Sequence, residues 1–424
     1  MAHENNAPEQ LAQLLTPEGW ALLNAVGPYR EEDALALSTR LRKEGHSPEL
    51  VSAVLSQARL RARAQAKFGE FASHMLFTRA GLEQATRLSV AARHAGRFKD
   101  AGVRRVADLG CGLGADALAL ASLDLEVTAV ELDETTAACA TVNLMPFPSA
   151  RVVHANAESV PLDEVDGVWL DPARRTTSTS GTERIWDPEA FSPPLSFVEA
   201  LAARGLPVGV KLGPGIPHES IPAGCEAQWV SVDGDVAEVS LYFNSLRRPS
   251  VRRAALLLDG GSGGAGGPAG GSGGAGGGGS AELVAETDFG DGAEPRIGPL
   301  AGYLYEPDGA VIRAGLVAEL AERLGGHLVD PHIAYICADE HVPTAFARAY
   351  RVLEVRPYSV KALRAWVREQ GIGVLDIKKR GTSVTPEELR RLLLAGQKKG
   401  AAGHATLVLT RIGDDRVAAV VEPV

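Results

Sequence analysis

Arg105-Val106-Ala107-Asp108-Leu109-Gly110-Cys111-Gly112-Leu113-Gly114-Ala115-Asp116 is followed, after an Ala-rich stretch, by Val127-Thr128-Ala129-Val130-Glu131-Leu132-Asp133. A short apolar run ends in three alternating glycines, a helical stretch follows, and a second apolar run closes on an acid. This is the layout of a nucleotide-binding β-α-β unit. Gly110, Gly112 and Gly114 let the backbone turn sharply and come close to a ligand, with a helix starting directly after them. Asp108 precedes the loop, and Glu131 ends the second strand where an acid reaches the ribose hydroxyls of a nucleoside. Nicotinamide dinucleotide sites use the same acid, so these features alone leave the cofactor open.

Outward from this unit, the chain of 424 residues is long enough for two or three domains. No run approaches the roughly 18 apolar residues of a membrane span, and the polar start from Met1 to Gln10 lacks a secretory pattern, so a soluble cytoplasmic protein is expected. Cys111, Cys139, Cys225 and Cys337 lack paired spacing, which argues against zinc and disulfide frameworks, and no metal is expected. Upstream, residues 1–98 read as a helical region. Leu35, Leu37 and Leu41, then Val51, Val54, Leu55 and Ala58, recur at helical spacing, with Ser47 as a cap and Pro48 in a first turn. Its end, Phe71 to Thr86, lies just before the glycine loop and can fold over what that loop binds.

Downstream, apolar runs alternate with helical stretches: 106–109, 127–131, 150–154, 167–170, 207–212 and 237–243 read as strands of a mostly parallel sheet. The Gly/Ser/Ala tract at 260–280 resembles a domain linker. Strand-like runs at 251–258 and 281–285 flank it, however, so it is read as a lengthened hairpin loop, since loop length costs only about 0.6 kcal/mol per doubling. The domain boundary is placed at 292/293. Beyond it, 311–324 and 359–370 read as helices, and 349–355, 374–378, 405–412 and 417–421 as strands. Net charge is −10 for the whole chain, yet Ala345 to Arg411 holds fourteen Lys and Arg against five Asp and Glu. Within it, Lys378, Lys379, Arg380, Lys398 and Lys399 suggest a polyanionic partner.

The choice of cofactor comes from the next two strands. The third leads into Asn156 and Ala157, near where an adenine would lie. The fourth ends in Asp171-Pro172-Ala173-Arg174-Arg175, at the carboxyl end of the sheet where ligands bind. With Asp108 to Gly114, Glu131, Asn156, Ala157 and Asp171-Pro172 in that order, the sequence resembles class I S-adenosylmethionine-dependent methyltransferases. Over nearly its whole length it resembles the bacterial family of these that carries a C-terminal THUMP-like domain, through Leu82-Glu83-Gln84-Ala85-Thr86, Val210-Lys211-Leu212-Gly213-Pro214, Leu304 to Arg313, Ile377 to Thr382 and Leu407 to Arg411.

The resemblance implies an α/β fold: a Rossmann-like, seven-stranded, mostly parallel sheet with a late antiparallel hairpin at 99–292, a helical region before it and an α/β THUMP-like domain at 293–424. It implies S-adenosylmethionine as cofactor, held by Asp108, Gly110, Cys111, Gly112, Gly114, Glu131, Leu132, Asn156, Ala157 and Gln84. Asp171, Pro172 and Arg174 are its catalytic candidates. The substrate implied is structured RNA, tRNA or rRNA, since THUMP modules hold RNA away from the catalytic site; the four lysines and one arginine above would contact it.

Where related enzymes have an aromatic two residues after the proline, this chain has Arg174. Arg174 or Arg175 can stack on a base instead, and Trp186 is another source of a ring. Uridine C5 chemistry would need a cysteine beyond the motif, and Cys225 lacks the expected surroundings. Two alternatives are methylation of a small molecule or protein, and a non-catalytic RNA-binding protein with a vestigial cofactor pocket. Intact Asp108, Glu131 and Asp171 argue against the second.

Overall fold

The computed structural model describes residues 7–173, 187–259, 279–292, 294–396 and 401–424, with the backbone of 175–178 and 181–184. Arg174, Trp186, Lys398, Lys399 and most of the glycine tract lie outside the described residues, as do the side chains of 175–178. The chain divides into two compact units, one of Met1–Glu226 with Val239–Arg248, the other of Ala227–Glu238 with Pro249–Val424.

The first unit opens with helices α1 (Ala7–Leu14), α2 (Pro17–Ala25), α3 (Ala34–Lys43), α4 (Pro48–Phe68), α5 (Arg79–Gln84) and α6 (Leu88–Asp100). Ser47 caps α4 by accepting from the Leu50 amide, with Pro48 in the first turn as expected. Leu41, Val51 and Val54 are buried together. Leu35 is 81% exposed, because two residues before Leu37 it lies on the helix face opposite Leu37 and Leu41.

Next come β1 (Arg105–Leu109), α7 (Ala115–Ala121), β2 (Glu126–Glu131), α8 (Glu134–Leu144), β3 (Ala150–His154), β4 (Gly167–Leu170), β5 (Arg175–Ser178), β6 (Gly181–Arg184), α9 (Leu195–Ala203) and β7 (Val208–Leu212). Strands β3, β2, β1, β4 and β7 pair in that order, all parallel. Strands β4 and β7 are buried at every residue, as expected of strands covered on both faces. The backbones of β5 and β6 form a separate two-stranded sheet directly after the Asp-Pro motif, which the sequence reading did not include.

Strand β8 (Glu226–Val232) turns through Asp233 and Gly234 into β9 (Asp235–Phe243), whose second half pairs antiparallel with β7. This is the late hairpin; β8, buried throughout and without alternation, was missed from sequence. In the second unit β8 pairs in parallel with β10 (Arg253–Leu258), which pairs antiparallel with β11 (Ser280–Ala285). The strand-like runs on either side of the glycine tract are therefore partners, joined at the tract's mouth by the Asp259 amide donating to the Gly279 carbonyl. These two strands add to the seven that the resemblance implied.

The remainder is β12 (Tyr303–Pro307), α10 (Gly309–Arg313), α11 (Val317–Arg323), β13 (His327–Asp330), β14 (Ile333–Ala338), β15 (Ala347–Pro357), α12 (Val360–Glu369), β16 (Ile372–Lys379), α13 (Pro386–Leu394), β17 (Gly403–Ile412) and β18 (Asp415–Pro423). The sheet order is β13-β14-β12-β15-β18-β17-β16. Along β17 side chains alternate between two cores: Leu407 and Leu409 pack with Leu363, Val367 and Leu389 of the helices, Val408 with Leu304 and Tyr335. The single helix expected over 311–324 is two, because Gly315 takes a left-handed φ of +66° between α10 and α11. Strands β12, β13 and β14 and helix α13 were not read from sequence.

Candidate cofactor and methyl-transfer site

The site is built at the carboxyl ends of β1, β2 and β4 in the first unit. After Leu109 the chain doubles back, with the Gly110 and Cys111 amides both donating to the Val130 carbonyl at 2.9 Å. Gly110 has φ +87°, and a Cβ there would lie 2.6 Å from the Asp171 carbonyl oxygen, so only glycine lets the two loops touch. Gly112, at φ +55°, has open space where a Cβ would be. Gly114, also left-handed, begins α7.

Glu131 fastens this loop. Its Oε2 accepts from the Gly112 amide and its Oε1 from the Asp133 amide, each at 2.9 Å. Each oxygen keeps a further lone pair for a ligand hydroxyl. Leu132 is 61% exposed beside it, and the His154 ring lies against the Leu132 carbonyl at 3.0 Å. Asn156 turns its Oδ1 back to cap the next turn by accepting from the Glu158 amide, while Ala157 is half-buried. Gln84 is exposed at the end of α5, and the Cys111 thiol is buried, which pushes it well above the usual thiol range.

Asp108 is fully buried; the Ala117 amide lies towards it, but neither carboxyl oxygen makes a hydrogen bond of full geometry. Burial first, then the Asp116 and Asp171 carboxylates, push its carboxyl well above the usual carboxylate range. Asp116 goes the other way. Burial would raise it, but a 2.7 Å bond to His94 Nδ1, the charge of that imidazole and Lys211 hold it low. His94 is itself stacked on Trp169 at 4.2 Å between ring centroids.

Asp171 leaves β4 with its amide donating to the Leu109 carbonyl at 3.1 Å. Its carboxylate pairs with the Lys211 ammonium, which is buried and also donates to Thr86 Oγ1 at 2.9 Å. Pro172 is buried behind it. Lys211, Thr86, Asp116 and His94 were not singled out as site residues from sequence. The usable signal was one lysine in the otherwise apolar strand Val208–Leu212, since a buried lysine calls for a partner.

The other charged candidates lie in the second unit. Strand alternation splits them: Lys378 and Arg380 turn towards Glu306, at 3.2 and 4.0 Å, and Arg380 also lies over the Tyr335 ring, while Lys379 is exposed on the opposite side. The three do not form one patch.

Residues 107–172 match a methyltransferase domain, 347–423 a THUMP domain-like family and 7–64 a domain of unknown function. An uncharacterised S-adenosylmethionine-dependent methyltransferase of Mycobacterium tuberculosis, found in two strains, is 32% identical over 385 residues, covering 88% of this chain and 95% of that protein. The chain belongs to the S-adenosylmethionine-dependent methyltransferases. A solved structure of a proposed methyltransferase of Porphyromonas gingivalis W83, at 20% identity, shares the fold with a TM-score of 0.68, covering 93% of this chain and 99% of that one.

The methyltransferase's own residues fit the cofactor. A buried carboxyl without a hydrogen bond of full geometry, a glycine with an open side and an anchored acid with spare lone pairs suit a ligand carrying an amine, a closely approached chain and a ribose. Among the described residues no group of three His, Cys, Asp or Glu could hold a metal ion, and no helix is long and apolar enough to cross a membrane.

Asp108 yields a test. Because its folded pKa is raised, unfolding releases a proton from the neutral acid. The free protein therefore loses stability as pH rises from 3.8 through the folded value. Asp108→Asn escapes this loss. In thermal melts of the ligand-free protein, the variant's stability relative to wild type should rise from pH 4 to pH 8. A difference that is the same at both pH values would refute the assignment.

Proposed function

We propose that this methyltransferase modifies structured RNA, tRNA or rRNA, holding it through the THUMP-like segment. The observation that carries the reading is the charge of that segment: the strongly basic stretch of an acidic chain coincides with the THUMP-like match.

In this reading S-adenosylmethionine supplies a methyl group on a sulfonium, open to in-line displacement by a nucleophile. Asp108, Gly110, Cys111, Gly112, Gly114, Glu131, Leu132, Asn156, Ala157 and Gln84 hold it. Asp171 and the Pro172 carbonyl are acceptors at the end of β4, and the ion pair to Lys211 keeps the Asp171 carboxylate an acceptor. A carboxylate of that kind orients a target bearing an N–H by accepting its hydrogen bond. The protein's contribution is alignment and charge. Arg174 is a further candidate contact to the base or phosphate.

Among the C-terminal cations, Lys379 is the exposed one of its run, and Lys361, Arg368 and Arg391 are exposed on α12 and α13. Filter binding of unmodified tRNA across a salt series tests the reading. Lys379→Glu should weaken binding at every salt concentration and lower the slope of log K against log salt by about one. Lys378→Glu should instead destabilise the fold by placing an acid against Glu306. Affinity and slope unchanged in Lys379→Glu would remove Lys379 from the interface.

A further inference from the structure

Helix α4 reaches with three side chains to the segment that follows it. Gln57 grips Phe77 in both directions, Nε2 donating to its carbonyl at 2.6 Å and Oε1 accepting from its amide at 3.1 Å. Arg61 donates to the Met75 carbonyl at 2.9 Å. Lys67 donates to three carbonyls at once, those of Leu82, Glu83 and Ala85, at 2.9, 2.9 and 2.7 Å. These carbonyls lie at and just past the end of α5, where a helix leaves acceptors without partners, and one ammonium satisfies them.

The far side of the segment is held as firmly. Asn143 of α8 accepts from the Leu76 amide at 2.7 Å, donates to the Leu76 carbonyl at 3.0 Å, and donates to the Leu113 carbonyl of the glycine loop at 3.0 Å. Gly81 lies against the same loop, where a Cβ would come within 2.9 Å of the Leu113 side chain. Thr86 accepts from Lys211, the partner of Asp171. The segment 75–86 thus touches both loops at the carboxyl end of the sheet: the glycine loop through Gly81 and Asn143, and the Asp-Pro loop through Thr86 and Lys211.

A connector whose regular structure is one short helix, α5, is ordinarily among the more mobile parts of a fold. Here its backbone groups are taken up from two sides, by the buried side chains of Gln57, Arg61 and Asn143 and by the half-buried Lys67. Nothing in the catalytic sheet requires Gln57 or Lys67, and both grip this segment.

We propose that α4 serves the cofactor site: Gln57 and Lys67 are positioning residues that hold 75–86 as a fixed wall beside the glycine loop and Asp171, which gives the N-terminal helical region its role. The inference rests on the cofactor of the family and is independent of the substrate.

Two measurements on the full-length protein test it, with S-adenosylhomocysteine as the probe. In the wild type, hydrogen exchange of 75–86 should slow on binding, because order that aids binding must be increased by binding. Lys67→Met keeps the stem and removes the donors. It should speed exchange in 75–86 of the free protein, leave exchange in β1 and β2 unchanged, and raise the Kd by about tenfold in titration calorimetry. Gln57→Leu should do the same through Phe77. Binding to the wild type with no change in 75–86 overturns the proposal, as does a Kd within about twofold of wild type in either variant once its exchange has risen. No heat of binding in the wild type would instead strike at the cofactor assignment, so the two failures are separable. Should Lys67→Met fail to fold, the wild-type exchange experiment decides alone.

Discussion

Glu131→Ala should weaken S-adenosylhomocysteine binding by about a hundredfold, or roughly 3 kcal/mol, in titration calorimetry at neutral pH. Two losses add. The Gly112 and Asp133 amides lose the carboxylate that fixes the glycine loop, and in the proposed role of Glu131 the ligand loses an acceptor for its ribose hydroxyls. Glu131→Gln is nearly as damaging, because one of the two backbone donors would then face an amide NH2 and not an oxygen. The carboxylate is half-exposed and its contacts are local, so the melting temperature should move little. A Glu131→Ala protein that binds within about threefold of wild type would show that neither the loop anchor nor a ribose acceptor at Glu131 contributes to binding.

Asp171→Ala should act on the other half of the reaction. With RNA as the proposed substrate, methyl transfer should fall by about a hundredfold or more, as when a single stabilising group is removed from an active site. S-adenosylhomocysteine affinity should stay within about threefold, because Gly110 meets the Asp171 backbone and not its side chain. Removing the carboxylate also takes the ion-pair partner from the buried Lys211 ammonium, which keeps its bond to Thr86, a loss of about 3 kcal/mol in stability. Asp171→Ala with Lys211→Met removes both charges. It should recover the stability without recovering transfer. If transfer returns with stability, Asp171 was serving the fold.

How much of this was legible in the sequence follows the range of the interactions. The β-α-β unit, the second acid and the Asp-Pro end of β4 are local patterns, and their residues meet because parallel strands in register bring Leu109, Glu131 and Asp171 to one end of the sheet. The pairing of β10 with β11 across the glycine tract was legible for the same reason, since strand-like runs on both sides left the tract only a loop to be.

The polar network beneath the site was not legible. Lys211 meets Thr86 across 125 residues of chain and Asn143 meets Leu76 across 67, and no periodicity announces such pairs. The basic run Lys378-Lys379-Arg380 was legible as charge but not as geometry: strand alternation sends two of the three to Glu306. Helix α10 ended early at Gly315, where one left-handed residue overrode a continuous apolar pattern.

The most direct test compares modified nucleosides, by mass spectrometry, in tRNA and rRNA from cells with and without this protein. The expected result is one methylated nucleoside that disappears without the protein, returns with the wild-type chain and does not return with Asp171→Ala. Identical nucleoside profiles in the two cell types, from a protein that still binds S-adenosylhomocysteine, would contradict an RNA substrate and leave a methyltransferase acting on something else.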